Sequence, residues 1–161
     1  SPTAPDLPAS PTVADAMNPH AAQVPVSASM REVVALMAET ETSGVAVVAD
    51  DGTLAGFVSD GDVARYLGRN NMEFTSSNLG VANFRDDDTL REKLAELAEL
   101  NVMRIAVERV VSVEQDVALD DACTMLAKRK IKKMPVTCDG RVVGSISRRN
   151  VMRYLMREMG K

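Results

Sequence analysis

The 161-residue chain has no tryptophan, three phenylalanines and two tyrosines, so aromatic residues make up only 3% of it. A core built from this composition is aliphatic. The ten methionines are its natural gap-fillers, being unbranched and polarisable. There is a single histidine, His20, in a Pro-flanked loop, and alone it can build neither a metal site nor a catalytic triad. The two cysteines, Cys123 and Cys138, have no C-x-x-C or other metal spacing. Both stand in apolar patterns, which points to reduced, buried thiols and a cytoplasmic setting rather than a disulfide. No apolar run approaches the roughly 18 residues of a membrane span, and no secretory signal pattern is present.

Apolar residues make up 45% of the chain and charged residues 26%, as in ordinary globular domains. The net charge of −4 argues against a general nucleic-acid binder. Its distribution is uneven: residues 1–109 hold 8 Lys+Arg against 17 Asp+Glu, and residues 110–161 hold 11 against 6. Halves of opposite sign favour packing on each other or a local basic site. The opening "SPTAPDLPASP" has no hydrophobic period and reads as a linker or flexible arm, residues 1–11, of the kind that joins a module to a larger protein.

The strongest pattern is internal repetition. "GFVSDGDVARYL" at 56–67 and "GSISRRNVMRYL" at 144–155 share six of twelve residues. Met30, Val33, Val34 and Met37 form an i, i+3, i+4, i+7 stripe, and Leu119, Ala122, Cys123 and Leu126 repeat it 89 residues later. Each stripe is followed by a β-like run ending in Asp-Gly, a second strand, and the quoted strand-to-helix joint, with the shift falling to 88. "AQVPVSAS" and "VSVEQDVA" match as leading strands, so each unit reads β-α-β-β-α. Between the copies a polar stretch leads into "TLREKLAELAELNVMRIAV", a helix with Leu90, Leu94 and Leu97 on one face and Asp88 or Thr89 as its cap. "TVADAMNP" reads as a short helix leading into the first unit. Fifty residues bury a marginal core alone, so the two copies are expected to face each other across a pseudo-twofold axis, leaving two related clefts at the seam.

These residues resemble a tandem pair of CBS domains, a Bateman module: "TVADAMNP", the two stripes, "GVAVVADDGTLAGFVSDGD", "KMPVTCDGRVVGSISRRN" and the 88–89-residue period carry the likeness over roughly residues 12 to 157. The resemblance implies an α/β (α+β) fold of two CBS repeats, the first over 12–69 and the second over 109–158, separated by an inter-repeat loop at 70–87 and a connecting helix at 88–108. It further implies a regulatory, non-catalytic module that binds an adenosine-containing ligand (AMP, ADP, ATP or S-adenosylmethionine), pairs as a homodimer and controls an attached or partner transporter, channel or enzyme. No obligatory cofactor or metal follows from it. In the family the Gly-x-x-Ser/Thr-x-x-Asp turn offers a carboxylate to the ribose diol. Ser59 and Asp62 fill those positions in the first copy, Ser147 and Asn150 in the second. Backbone that frames adenine carries over to Met134, Pro135, Ser112 and Val113, and by symmetry to Val45, Ala46 and Gln23. Ala46 stands where the family has Pro, and Asn150 where it has Asp.

The residues also admit plainer readings. Ser-x-x-Asp is a helix N-cap, with Asp60 and Asp62 suited to the positive end of the helix dipole. The second copy fits this less well, because Arg148 and Arg149 lie in the first helical turn, where a cation costs roughly 0.3–1 kcal/mol. A phosphate bound there reverses that sign, and Lys132 and Lys133 add to the positive region; a solvated basic face is the alternative reading of "KRKIKK". Asp62 and the second-half cations could serve one ligand, or the ligand could lie wholly on the second copy. The rival functions are a ligand-independent dimerisation or interaction module built on the Leu90-Leu94-Leu97 face, and an enzyme using Asp60 and Asp62 as a carboxylate pair, for which no nucleophile–base arrangement exists.

Overall fold

A computed structural model describes residues 10–68, 87–128 and 131–161. The arm at 1–9, most of the polar stretch between the copies, and Arg129 and Lys130 of the basic run lie outside the described residues. In chain order the elements are α1 (Val13–Ala16), β1 (Gln23–Pro25), α2 (Met30–Thr40), β2 (Gly44–Val48), β3 (Leu54–Ser59) and α3 (Asp60–Leu67). They continue with α4 (Asp87–Glu99), a 3₁₀ turn (Val102–Arg104), β4 (Val113–Glu114), α5 (Leu119–Lys128), β5 (Lys133–Cys138), β6 (Arg141–Ser147) and α6 (Arg148–Met159). The β-α-β-β-α order is therefore written twice. In each copy the first strand pairs parallel to the second and the second antiparallel to the third, giving two three-stranded sheets among the described residues.

Local chemistry accounts for the elements. Ser29 caps α2 by accepting from the Glu32 amide, and Glu41, in the left-handed region at φ 52°, ends the helix. The Asp-Gly turns close both hairpins with left-handed glycines, Gly52 at φ 86° and Gly140 at φ 82°. The two tips meet: Leu54 N–H donates to Gly140 O, Val142 N–H donates to Gly52 O, and Thr53 bridges Arg141, its own counterpart 88 residues on.

Each copy lends its leading segment to the other. Val13 and Ala16 of α1 sit in the core of the second copy, with Val113, Leu119, Met134, Val136 and Ile146. Val102, 89 residues after Val13, sits in the core of the first copy, with Val24, Met30, Val33, Val45 and Val58. Both valines are fully buried, each worth about 1.5–3 kcal/mol. The backbone is exchanged in the same way: Asn18 and Ser145 trade both amide hydrogen bonds (2.8 and 3.0 Å), as do Val107 and Phe57 (2.9 and 3.0 Å). Close approach there requires glycine at 144 and favours it at 56. A Cβ on Gly144 would lie 2.4 Å from Asn18 O, and one on Gly56 would lie 3.2 Å from Val107 O. The glycine that opens both quoted repeats is thus explained by the crossing segment. "TVADAMNP" is a short helix as expected, but its packing partner is the second copy.

Other differences are local. Val34 is 40% exposed while Met30, Val33 and Met37 of the stripe are buried, and Cys123 is half-buried rather than buried. Both cysteines are free, with burial and Asp120 pushing the Cys123 thiol pKa up. The helix between the copies begins at Asp87, so Asp88 and Thr89 lie inside its first turn instead of capping it. It stops at Glu99 because Asn101 turns the chain, accepting from Met103 N–H and donating to Val26 O. Of its leucine face only Leu97 is buried; Leu90 and Leu94 are 39% and 46% exposed.

Candidate functional site

Two clefts flank the seam, each built from the strand-to-helix turn of one copy and the leading segment of the other. The larger, about 710 Å³, has the Ser147–Asn150 turn on one side and Asn18, residues 20–22 and residues 40–43 on the other. The smaller, about 400 Å³, sets the Ser59–Asp62 turn against Val107, Arg109, Val110 and Val111. The 88–89-residue shift relates them wall by wall: Val110 and Val111 correspond to Ala21 and Ala22, Ile131 to Thr42, and Phe57 to Ser145.

Both turns are capping boxes. In the first, Ser59 N–H and Oγ donate to Asp62 Oδ2 (2.9 and 3.0 Å) and Asp62 N–H donates to Ser59 Oγ (3.2 Å). The other carboxylate oxygen, Oδ1, meets only the exposed Arg65 guanidinium at 3.3 Å. In the second, Asn150 Oδ1 takes both Ser147 donors at 2.9 Å. Asn150 therefore reproduces the cap, but its remaining group is an N–H donor where Asp62 offers an acceptor. A vicinal diol donates to a carboxylate oxygen; it gains less from an amide nitrogen.

The cations are distributed unequally. Arg148 donates to Leu126 O at 3.0 Å, a carbonyl in the last turn of α5. A cation is favoured there, so the fold itself accounts for Arg148 at a helix start. Arg149 makes no hydrogen bond or ion pair among the described residues and borders the larger cleft. Lys132 and Lys133 line both clefts, together with Ser43. Lys133 occupies the strand position that Gly44 has in the first copy, and its ammonium donates to Thr42 Oγ1 and Gly44 O. Burial pushes the Lys133 pKa below the ordinary lysine range.

Of the residues singled out from sequence, Ser59, Asp62, Lys133 and Pro135 come together around the smaller cleft. Lys133, Ser147, Arg148, Arg149 and Asn150 come together around the larger. Asp62 and the arginines thus face different clefts, with the two lysines between them. Val45, Ala46, Val113 and Met134 are buried, three of them in the two cores, Ser112 is half-buried and Gln23 exposed; none borders either cleft. The leading-segment walls lie upstream of the positions inferred, at Ala21, Ala22, Val110 and Val111. Phe57, Ile131, Thr42 and His20 also line the clefts and were not expected; projecting the repeat shift from the Ser-x-x-Asp turn onto the opposite copy could have found them. Among the described residues no group of His, Cys, Asp and Glu is placed to hold a metal, and no helix is long and apolar enough to cross a membrane.

Comparison with known proteins places this geometry. A family model described as CBS domain matches residues 13–69 and 102–157. The uncharacterised protein MJ1426 of Methanocaldococcus jannaschii is 24% identical over 134 residues, 78% of this chain and 80% of that protein. The chloroplastic CBS domain-containing protein CBSX2 of Arabidopsis thaliana is 29% identical over 152 residues, 88% of this chain but 62% of the plant protein. CBSX2 solved in complex with AMP superposes with a TM-score of 0.70 at 25% identity, covering 92% of this chain and 98% of that one. The CBS domain pair of MJ0100, solved with 5′-methylthioadenosine and S-adenosyl-L-methionine, shares the fold at a TM-score of 0.64 and 17% identity, covering 92% and 98%.

Proposed function

The chain belongs to the CBS-domain family, as a tandem pair, and from that premise we propose that it is a regulatory module whose smaller cleft binds an adenine nucleotide. The observation that carries this reading is the composition of that cleft's walls. Val110, Val111, Ile131, Phe57 and Pro135 offer an apolar slot for a flat base. Asp62 Oδ1, tied only to an exposed arginine, is available to a ribose diol. Lys132 and Lys133 supply cations for a phosphate. The AMP complex of CBSX2 supports the ligand class. The larger cleft, with Arg149, Lys132, Lys133 and no carboxylate on its turn, suits the phosphate end of a ligand better than the nucleoside end.

Binding couples to output through the exchanged segments. A ligand in either cleft touches a turn from one copy and a leading segment from the other, so its affinity depends on how the halves pack. The module would relay that packing to a partner or parent protein in the cytoplasm, as a homodimer. Equilibrium titration with AMP, ADP, ATP and S-adenosylmethionine, read by calorimetry and thermal shift, tests the proposal: a ligand that binds only the folded state raises Tm. No binding of any of them at millimolar concentration refutes it.

A second reading, a ligand-independent interaction module, draws on the exposed methionines of α6: Met152, Met156 and Met159 are 58%, 75% and 79% exposed. It requires that Asp62→Ala leave both oligomeric state and partner binding unchanged.

A further inference from the structure

The two clefts share a wall, and that wall is charged. Ser43 and Lys132 are repeat counterparts, 89 residues apart, and both border both clefts. Lys133 joins them, whereas its counterpart Gly44 borders neither. The septum is therefore asymmetric: one extra lysine, contributed by the second copy, reaches across to Thr42 and Gly44 of the first. No carboxylate lies within ion-pair distance of Lys133 among the described residues. Its ammonium is held only by a hydroxyl and a carbonyl, half-buried between two ligand-sized spaces.

We propose that Lys133 is a single cation shared by the two clefts, which makes them antagonistic toward phosphate-bearing ligands: an anion seated in one takes the ammonium and weakens the other. This rests on the nucleotide reading above for the smaller cleft, and adds an inorganic-anion site in the larger. The sign follows from charge. The first phosphate draws Lys133 off Thr42 and neutralises it; the second then meets a spent cation and a like charge across the same septum. Lys132 does not substitute for it, because its side chain is exposed to solvent, where screening is strong. Antagonism of this kind is expected at roughly tenfold, within the usual range for coupled sites.

The experiment measures AMP affinity by calorimetry at rising inorganic pyrophosphate, an anion with no base for the apolar slot. In the wild-type protein the apparent AMP Kd rises by roughly tenfold and then reaches a plateau, the signature of two sites coupled with a finite energy. In Lys133→Met, which keeps the stem packed, the AMP Kd stays within about twofold of that variant's own pyrophosphate-free value, while Lys132→Met, whatever its own starting affinity, retains the roughly tenfold rise. Circular dichroism and Tm verify that each variant is folded; if Lys133→Met is not, Lys133→Gln takes its place. A Kd that climbs without limit overturns the inference, because pyrophosphate then competes within one cleft. An AMP Kd indifferent to pyrophosphate overturns it as well and leaves the nucleotide reading standing, whereas no AMP binding at all overturns both.

Discussion

The sharpest test of the smaller cleft is Asp62→Asn, because the protein carries its own control. The second copy shows that asparagine closes the same capping box: Asn150 Oδ1 takes the two Ser147 donors at 2.9 Å, as Asp62 Oδ2 takes those of Ser59 at 2.9 and 3.0 Å. The substitution therefore leaves the turn intact and removes only charge and the free acceptor. Its effect on stability has two parts. Loss of a negative charge at a helix start costs about 0.3–1 kcal/mol. The ion pair to Arg65, whose side chain is 70% exposed, contributes about 0–1 kcal/mol. At about 2–4 °C per kcal/mol, Tm falls by less than about 8 °C. Binding should change far more: a hydrogen bond to a charged group is worth about 1.5–3 kcal/mol, so AMP affinity drops roughly 10- to 100-fold. Calorimetry and a thermal melt on the same preparation read both. Unchanged affinity would assign Asp62 to capping alone; a collapse of Tm would refute the equivalence of the two turns.

Gly144→Ala forces a Cβ to within 2.4 Å of Asn18 O, so urea unfolding should show a loss of about 1–3 kcal/mol for the overlap, more than for Gly56→Ala, whose Cβ has 3.2 Å. Arg148→Ala removes the side-chain donor to the Leu126 carbonyl and should lower stability by about 0.5–1.5 kcal/mol, whereas Arg149→Ala, which takes a cation off a helix start, should raise the urea midpoint slightly, a gain of at most about 1 kcal/mol, and weaken pyrophosphate binding. Because burial lowers the Lys133 pKa, the folded protein releases that proton before the unfolded chain does. Stability measured against Lys133→Met should then rise with pH between the lowered value and the ordinary lysine value near 10.5. AMP affinity, which needs the charged form, should fall through the same window.

The duplication was legible because core positions recur at helical and strand spacing whatever they pack against. The exchange of leading segments was not, for the same reason. A period of 89 residues is identical whether Val13 completes the first core or the second, and only the structure shows that Val13 and Val102 have traded places. The Ser-x-x-Asp and Ser-x-x-Asn turns announce themselves through capping-box spacing. Ala21, Ala22, Val110 and Val111 do not, since small apolar residues before a strand carry no chemistry of their own. Arg148 seemed to call for an anion because its partner, the Leu126 carbonyl, lies 22 residues away on another helix. Local dipole reasoning sees the helix an arginine starts, not the one whose end it reaches.

The divergence of the two copies is itself coupled, which argues that the clefts have separate tasks. The Phe57 ring covers Gly44 so closely that a Cβ there would lie 2.5 Å from it. The second copy has Lys133 at that strand position and Ser145 where Phe57 would be. In both sheets these two positions are diagonal neighbours rather than direct partners; a lysine under the phenylalanine ring would clash and a serine beside the glycine would leave a void, so each pair changes together. One pair leaves an aromatic wall beside Asp62, and the other leaves a cation and a hydroxyl-lined wall beside Arg149. Exchanging only Phe57 for Ser should open space over Gly44 and strip the base slot of its ring, lowering AMP affinity while leaving pyrophosphate binding in the larger cleft as it was. Loss of both at once would show that the clefts are one site.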